Sequence, residues 1–408
     1  MADIRRTVDA VWRIEGARII ATLTRVTGDI GTAEDLSQEA IVDALRQWPE
    51  SGVPRNAGAW LTTVAKRKAI DGWRRRERLD ERYRDMAQQL QAGEEDVWEP
   101  IPDDVLRLVF TTCHPVLSRE AQVPLTLRVV GGLTTDEIAR MLLVPVATVQ
   151  QRIVRAKRTL SAASVPFETP EEDQWGGRLG AVLGVVYLIY TEGYAATRGE
   201  HWVRTELANE ALRLGRVLAG LLPHEPEVHG LVALMEFQSS RFAARVRRDG
   251  SPVLLADQDR ARWNRAQIER GRAALQRADA VGRGRGSYSL QAAIAECHAL
   301  APSVTETDWD HIVVLYEALG RLAPSPVVEL NRAVAVSMAS GPADALPIVE
   351  RLATEGALPR SHLLPSVHGE LLAQLGRVAE ARSELLTAAG LATNDRERAV
   401  LRAKAAAL

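Results

Sequence analysis

From Thr148 to Leu160 the chain sets Gln150, Gln151, Val154, Arg155 and Arg158 among apolar residues, with Arg152 and Lys157 beside them and no acid in the run. These side chains suit recognition, not bond-making. Gln and Arg can hydrogen-bond base edges in bidentate fashion, Val can meet a thymine methyl, and flanking Arg and Lys can neutralise phosphates. The element that must position them is a helix. Val149, Ile153, Ala156 and Leu160 recur at i, i+4, i+7 and i+11 and point inward, which exposes the arc carrying the polar set. Just before it, Thr134 and Glu137 form a T-x-x-E capping box, Ile138, Ala139 and Leu142 give a short helix an apolar face, and Leu143 to Pro145 interrupt it. Capping box, turn and acid-free second helix in succession read as a helix-turn-helix, which sets the stretch apart from an ordinary basic solvated helix.

The whole chain limits what else these residues can serve. At 408 residues it is long enough for two or three domains. Ala, Leu, Arg and Glu dominate, alternating β-branched runs are scarce, and Gly or Pro punctuates segments of helical length, so the expected fold is all-α. The net charge of -2 excludes a globally basic nucleic-acid binder, and only local clustering carries the signal. Two cysteines are too few for a disulfide framework, and no signal segment or long apolar run appears, so a cytoplasmic protein with no membrane contact is expected. Cys113-His114 and Cys297-His298 lack the close-spaced ligand pairs of zinc sites, and buried thiols beside capping histidines are the better reading. No nucleophile, base and orienter stand at workable spacing, so neither an enzyme nor a cofactor is expected.

Two earlier helices carry further candidates. Residues 8–27 read as one amphipathic helix ended by Gly28 to Gly31, with Thr32 capping the next. In residues 33–48, Leu36, Ala40, Ala44 and Trp48, flanked by Ile41 and Leu45, form a core stripe, while Asp35, Gln38, Glu39, Val42 and Arg46 share the other face. One apolar residue among charges fits a protein partner or a solvated face equally well. The third helix, Ala59 to Arg78, buries Leu61, Val64 and Ala65. It places Lys66 and Arg67 off that face, lays Lys68 where its stem can snorkel, and extends through Trp73 and Arg74, Arg75 and Arg76. Aromatics among cations suit single-stranded nucleic acid, although Trp60 reads as core.

The order of AEDLSQEAIVDALRQW, NAGAWLTTVAKRKAID with WRRR, and the helix-turn-helix ending TVQQRIVRAKRTL resembles the extracytoplasmic-function sigma factors of the sigma-70 family over about the first 165 residues. The resemblance implies a promoter-recognition subunit of RNA polymerase. By position, Asp35, Gln38, Glu39 and Val42 would touch the clamp helices of the polymerase β' subunit. Lys66, Arg67, Arg74, Arg75 and Arg76 would face the −10 element, and Gln150, Gln151, Arg152, Val154, Arg155 and Arg158 the −35 element. Arg67 departs from the Asn common at its position, and Leu143 and Ala147 stand where glycine is frequent in the turn, which requires φ to stay negative there. The runner-up is a ligand-sensing helix-turn-helix regulator that works without polymerase, and it leaves the second basic helix unused.

The implied organisation is a region-2 domain over 1–80, an acidic linker over 81–102, a region-4 domain over 103–165, a helical extension over 175–300 and tetratricopeptide-like repeats over 301–408. Leu207, Ala211, Leu214 and Leu218 mark one extension helix. GRGRGS at 282–287 lacks the phosphate-loop spacing and reads as a flexible connector, and His224, Glu225 and His229 miss the H-E-x-x-H spacing. In 361–390, Gly376 and Ala381 are expected to allow close helix crossing, with Gly341 and Ala345 as a poorer copy. Repeats of this kind bind peptides or pack against another domain, which gives the extension a peptide or protein partner and a regulatory role.

Overall fold

A computed structural model describes residues 2–76, 102–142, 144–194, 205–245, 247, 253, 255–392 and 395–408, and every regular element among them is helical. The chain divides into two compact units, Met1–Ile189 and Tyr190–Leu408. Most of the acidic linker, and Leu143 in the turn, lie outside the described residues.

In the first unit, α1 (Ala2–Thr27) ends where Gly28 takes φ +69°, a left-handed conformation that suits glycine, and donates its amide to Thr24 O. The next helix, α2 (Ile30–Ser51), begins earlier than the sequence suggests: Asp29, not Thr32, is its cap. The Asp29 carboxylate accepts Thr32 N at 2.6 Å and Thr32 Oγ1 at 2.9 Å, so Gly31 lies inside the helix. Its buried stripe is Ala33, Glu34, Ser37, Ala40, Ala44 and Trp48, with Leu36 only half-buried. Asn56 caps α3 (Ala57–Arg76) through Ala59 N at 3.0 Å, and Leu61, Ala65 and Ala69 are buried. Trp60 meets Trp48 edge-on at 5.4 Å, a core contact.

Four shorter helices follow: α4 (Pro102–Thr112), α5 (Arg119–Val129), α6 (Thr135–Leu142) and α7 (Val146–Ala162). The capping box forms in full, with Thr134 N donating to Glu137 Oε2 at 2.8 Å and Glu137 N to Thr134 Oγ1 at 3.2 Å. Val149, Ile153, Ala156 and Leu160 are the buried residues of α7, and Ala147 sits inside the helix with no positive φ. Within this unit α1 packs against α2, α3 and α4, so the two helical groups share one body. The last helix, α8 (Glu172–Tyr194), runs past the unit's boundary; its Trp175 ring lies 5.3 Å from Phe110, and Arg178 Nη2 donates to Phe110 O at 3.1 Å.

The second unit holds α9 (Thr205–Leu221), α10 (Pro226–Ser239), three short 3-10 turns at Phe242–Ala244, Leu255–Asp257 and Arg260–Arg262, α11 (Arg265–Ala280) and α12 (Ser287–Leu300). Leu207, Ala211, Leu214 and Leu218 are buried on α9, as their spacing requires. At Gly230 on α10 a Cβ would stand 2.3 Å from Ser289 Oγ, so only glycine allows α12 this close. In the GRGRGS loop Arg285 pairs with Asp279 at 2.8 Å and Arg283 with Glu225 at 3.5 Å. Glu227 fills the start of α12, accepting Tyr288 N at 2.7 Å, Ser289 N at 3.0 Å and Ser289 Oγ at 2.7 Å, so the helix's free amides meet an internal carboxylate.

Beyond it α13 (Trp309–Leu322), α14 (Pro326–Ser340), α15 (Pro342–Thr354), α16 (Leu363–Gln374), α17 (Val378–Leu391) and α18 (Asp395–Ala407) pack each on its predecessor, most tightly where α16 meets α17. The close crossing there is made by Gly369, where a Cβ would sit 2.9 Å from Leu385 Cγ and 3.1 Å from Ala381 O. Gly376 does a different job from the one its spacing suggests: it is exposed in the connecting turn at φ +76°.

Candidate nucleic-acid interface

Opposite its buried row, α7 exposes Gln150, Gln151, Val154, Arg155 and Arg158, and Val154 keeps 45% of its surface in solvent although it is apolar. Beside this face a groove of about 410 Å³ is lined by Ser118, Glu120, Gln151, Arg152 and Arg155. Arg152 pairs with Glu120 at 3.1 Å, a solvent-exposed contact worth little. Lys157 is not a free phosphate ligand. Its Nζ lies 2.5 Å from Glu34 Oε2 and 4.0 Å from Asp35, so the acid-free stretch receives acids from α2.

On α2, Asp35, Glu39, Val42 and Arg46 are exposed and Gln38 is half-buried. Lys68 of α3 lies 2.9 Å from Asp43 and 3.4 Å from Glu39, so its head reaches across to α2, and the hydrogen bond to Asp43 holds its pKa above the ordinary value. Lys66 is half-buried, its pKa pulled down by burial and by Arg25, whereas Arg67 is exposed. The helix carries the backbone of Arg74, Arg75 and Arg76, whose side chains, like that of Trp73, lie outside the described residues.

Models of sigma-70 region 2 and sigma-70 region 4 match residues 13–79 and 107–160, and a family of unknown function (DUF6596) matches 178–279. Uncharacterized protein R00370 of Rhizobium meliloti (strain 1021) is 42% identical over 395 residues, which cover 94% of this chain and 91% of that protein. Probable ECF RNA polymerase sigma factor SigI of Mycobacterium tuberculosis is 29% identical over 164 residues, 39% of this chain and 56% of that protein. ECF RNA polymerase sigma factor SigK of Mycobacterium bovis is 28% identical over 153 residues, 35% of this chain and 78% of that protein. The chain belongs to the extracytoplasmic-function sigma factors. No solved structure matches it. The alternative of a regulator that works without polymerase is not favoured, since regions 2 and 4 occur together, and the family implies binding to core RNA polymerase and promoter DNA.

In this sigma factor, region 2 and region 4 meet at a residue that periodicity does not flag as functional. Glu34 is 5% exposed, and its carboxylate also takes Arg128 Nε of α5 at 2.6 Å. Burial pushes the Glu34 carboxyl up, but Lys157 and Arg128 outweigh it and hold it below its ordinary value. The available signal was an acid in phase with Ile30, Ala33, Ser37 and Ile41, a core register where a carboxylate needs a partner. Asp104, 2% exposed, is likewise met by Arg25 at 3.0 Å and Arg107 at 3.1 Å.

The Cys113 thiol is pushed up to about 11 by burial, which leaves it unreactive at neutral pH, and His114 Nδ1 accepts Val116 N in a turn. His229 Nε2 lies 2.9 Å from Pro223 O. Among the described residues no three His, Cys, Asp or Glu side chains are placed to hold a metal, and no helix is long and apolar enough to cross a membrane.

Proposed function

We propose that this sigma factor reads the −35 element with the outer face of α7, Gln150, Gln151, Val154 and Arg155 on base edges and Arg152 and Arg158 on phosphates. The observation that carries the reading is the exposure of this face, apolar Val154 included, directly opposite a fully buried row. Lys66, Arg67, Arg74, Arg75 and Arg76 act on the −10 element. Asp35, Gln38, Glu39 and Val42 engage the polymerase β' clamp helices, where an exposed valine among charges suits a protein contact. The protein works in the cytoplasm, and the helix pairs α13 to α18 form a tetratricopeptide-like module for a peptide or protein partner.

The test is competition. Full-length protein with core polymerase is bound to a duplex carrying its −35 element and challenged with random duplex. Arg155→Ala is expected to erase the preference; equal losses on both duplexes would reduce Arg155 to a phosphate contact. For the extension, transcription by a chain ending at Ile189 is compared with the full chain. Higher activity marks the extension as inhibitory, lower activity marks it as required, and unchanged activity removes the regulatory role.

A further inference from the structure

In the second unit three arginines converge on aromatic rings, and among the described residues no acid pairs with them. Arg245 is 7% exposed, and its guanidinium carbon lies 3.5 Å from the centre of the Tyr194 ring. Arg241 stands 5.8 Å from that ring and 5.8 Å from Trp263, and Arg260, 6% exposed, lies 5.2 Å from Trp263. Tyr190 stacks on Tyr194 at 5.7 Å and closes one side.

The hydrogen-bond account does not balance. Arg260 is satisfied by His298 O and Ala301 O, each at 2.8 Å, and Thr307 Oγ1 at 3.1 Å, while Arg241 Nη2 donates to Tyr194 Oη. Arg245 Nη1, Arg241 Nε and Trp263 Nε1 are buried donors without a partner. Among the described residues no carboxylate comes within ion-pair distance of Arg241, Arg245 or Arg260. Glu236, on the neighbouring helix, is taken by Arg216 and by Arg270 at 3.2 Å, and Glu306 acts only on Arg260, from beyond ion-pair range.

Buried cations and unpaired N–H donors are each unfavourable, and folded proteins satisfy such groups with a neighbour, an ordered water or a ligand. What the arginine and tryptophan side chains lack here is an acceptor: they bring positive charge and donors, while the unpaired acceptors Gln238 Oε1 and Gln258 Oε1 carry no charge. The complement is a negatively charged group that only accepts. A guanidinium stacked flat on a ring keeps its N–H edge free, the arrangement that grips a planar or tetrahedral oxyanion. Burial pushes the Arg245 pKa down, with Tyr194 opposing and Arg241 adding to it, and burial with Arg241 and Arg260 pushes His298 down to about 4, so His298 adds no charge and the repulsion between the arginines is what an anion would relieve.

We propose that Arg241 and Arg245, backed by Tyr194 and Trp263, bind a small oxyanion, a carboxylate or a phosphate, which gives the extension of this sigma factor a chemical input. The site draws on no residue assigned to polymerase or DNA, so its failure would leave that reading intact.

The full-length protein is titrated with inorganic phosphate in one arm, citrate in a second and sodium chloride at matched ionic strength in a third, with Tm and calorimetric heat as readouts. A saturable rise in Tm with phosphate or citrate, absent in chloride, is expected, and the responding arm separates phosphate from carboxylate. Arg245→Lys is expected to weaken binding by about tenfold or more, because an ammonium cannot reproduce the stacked fork. Arg283→Gln, at an exposed arginine near Glu225, should bind as wild type. In the wild-type chain, where no variant has to fold, saturation should slow amide exchange at 190–194 and 241–245. No saturable response in either arm, unchanged affinity in Arg245→Lys, or slowed exchange confined to other segments would overturn the proposal.

Discussion

In the first unit Glu34, 5% exposed, meets Arg128 at 2.6 Å and Lys157 at 2.5 Å; in the second, Arg245, 7% exposed, lies 3.5 Å from the Tyr194 ring and meets no acid among the described residues. One buried charge is enclosed by opposite charges drawn from two other helices. The other is left with like charges and unpaired donors. Attraction between buried opposite charges offsets desolvation only when the geometry is complete, so the first cluster is a finished piece of structure. The second has no such partner among the described residues, and that difference separates a contact that joins two sigma regions from the place where we propose an anion binds.

The largest expected effect comes from making the first cluster resemble the second. Glu34→Ala leaves Arg128 without an acid and Lys157 with only the exposed Asp35 at 4.0 Å, and should cost about 3–5 kcal/mol in urea unfolding of the full chain. A loss below about 1 kcal/mol would show that the pair is solvated and end the contrast.

Next in size is the separation of two arginines on one helix. Arg155→Ala should lose about 1–3 kcal/mol of discrimination for the −35 duplex, while Arg152→Ala, already paired with Glu120, should weaken all duplexes alike and by less.

Asp35→Ala with Gln38→Ala sharpens the comparison next door to Glu34, since it removes an exposed and a half-buried polar group where Glu34→Ala removes a buried one. Core-polymerase affinity should fall by about 1–2 kcal/mol with Tm unchanged. A matching fall in Tm would place Asp35 in the fold instead of the interface.

The smallest effect is in pH. Glu34 is held below its ordinary pKa in the fold, so its stabilisation is present above the unfolded value of 4.5 and lost as pH falls through the folded one. His298 is held at about 4 against 6.5 unfolded, so between those values the unfolded chain binds the extra proton and stability again drops on acidification. His298→Asn should flatten the loss from pH 6.5 towards 4 by about 1–2 kcal/mol and leave the lower part to Glu34. An unchanged profile would show that His298 is hydrated.

The helix-turn-helix was legible because its determinants are local. Thr134 and Glu137 are three residues apart, and Val149, Ile153, Ala156 and Leu160 lie on one turn-to-turn row, so sequence spacing and spatial geometry coincide. Local reading failed where two neighbours could do one job. Asp29 and Thr32 are both capping types, and only the backbone decides that Thr32 donates to Asp29. Gly376 and Gly369 are both near a helix crossing, and only the packing shows that Gly369 makes it.

Local spacing sufficed for the all-helical class, the order of the two sigma regions and the face of α7 turned to solvent, since helix caps and a 3.6-residue period act over a few residues. Packing in space decided that Lys157, in a run without acids, ends on Glu34, and that Tyr194, Arg241, Arg245 and Trp263 come together with no carboxylate beside them among the described residues. Burial and Coulomb attraction depend on distance in space, and residues far apart in the chain carry no mark of the partner that folding brings to them.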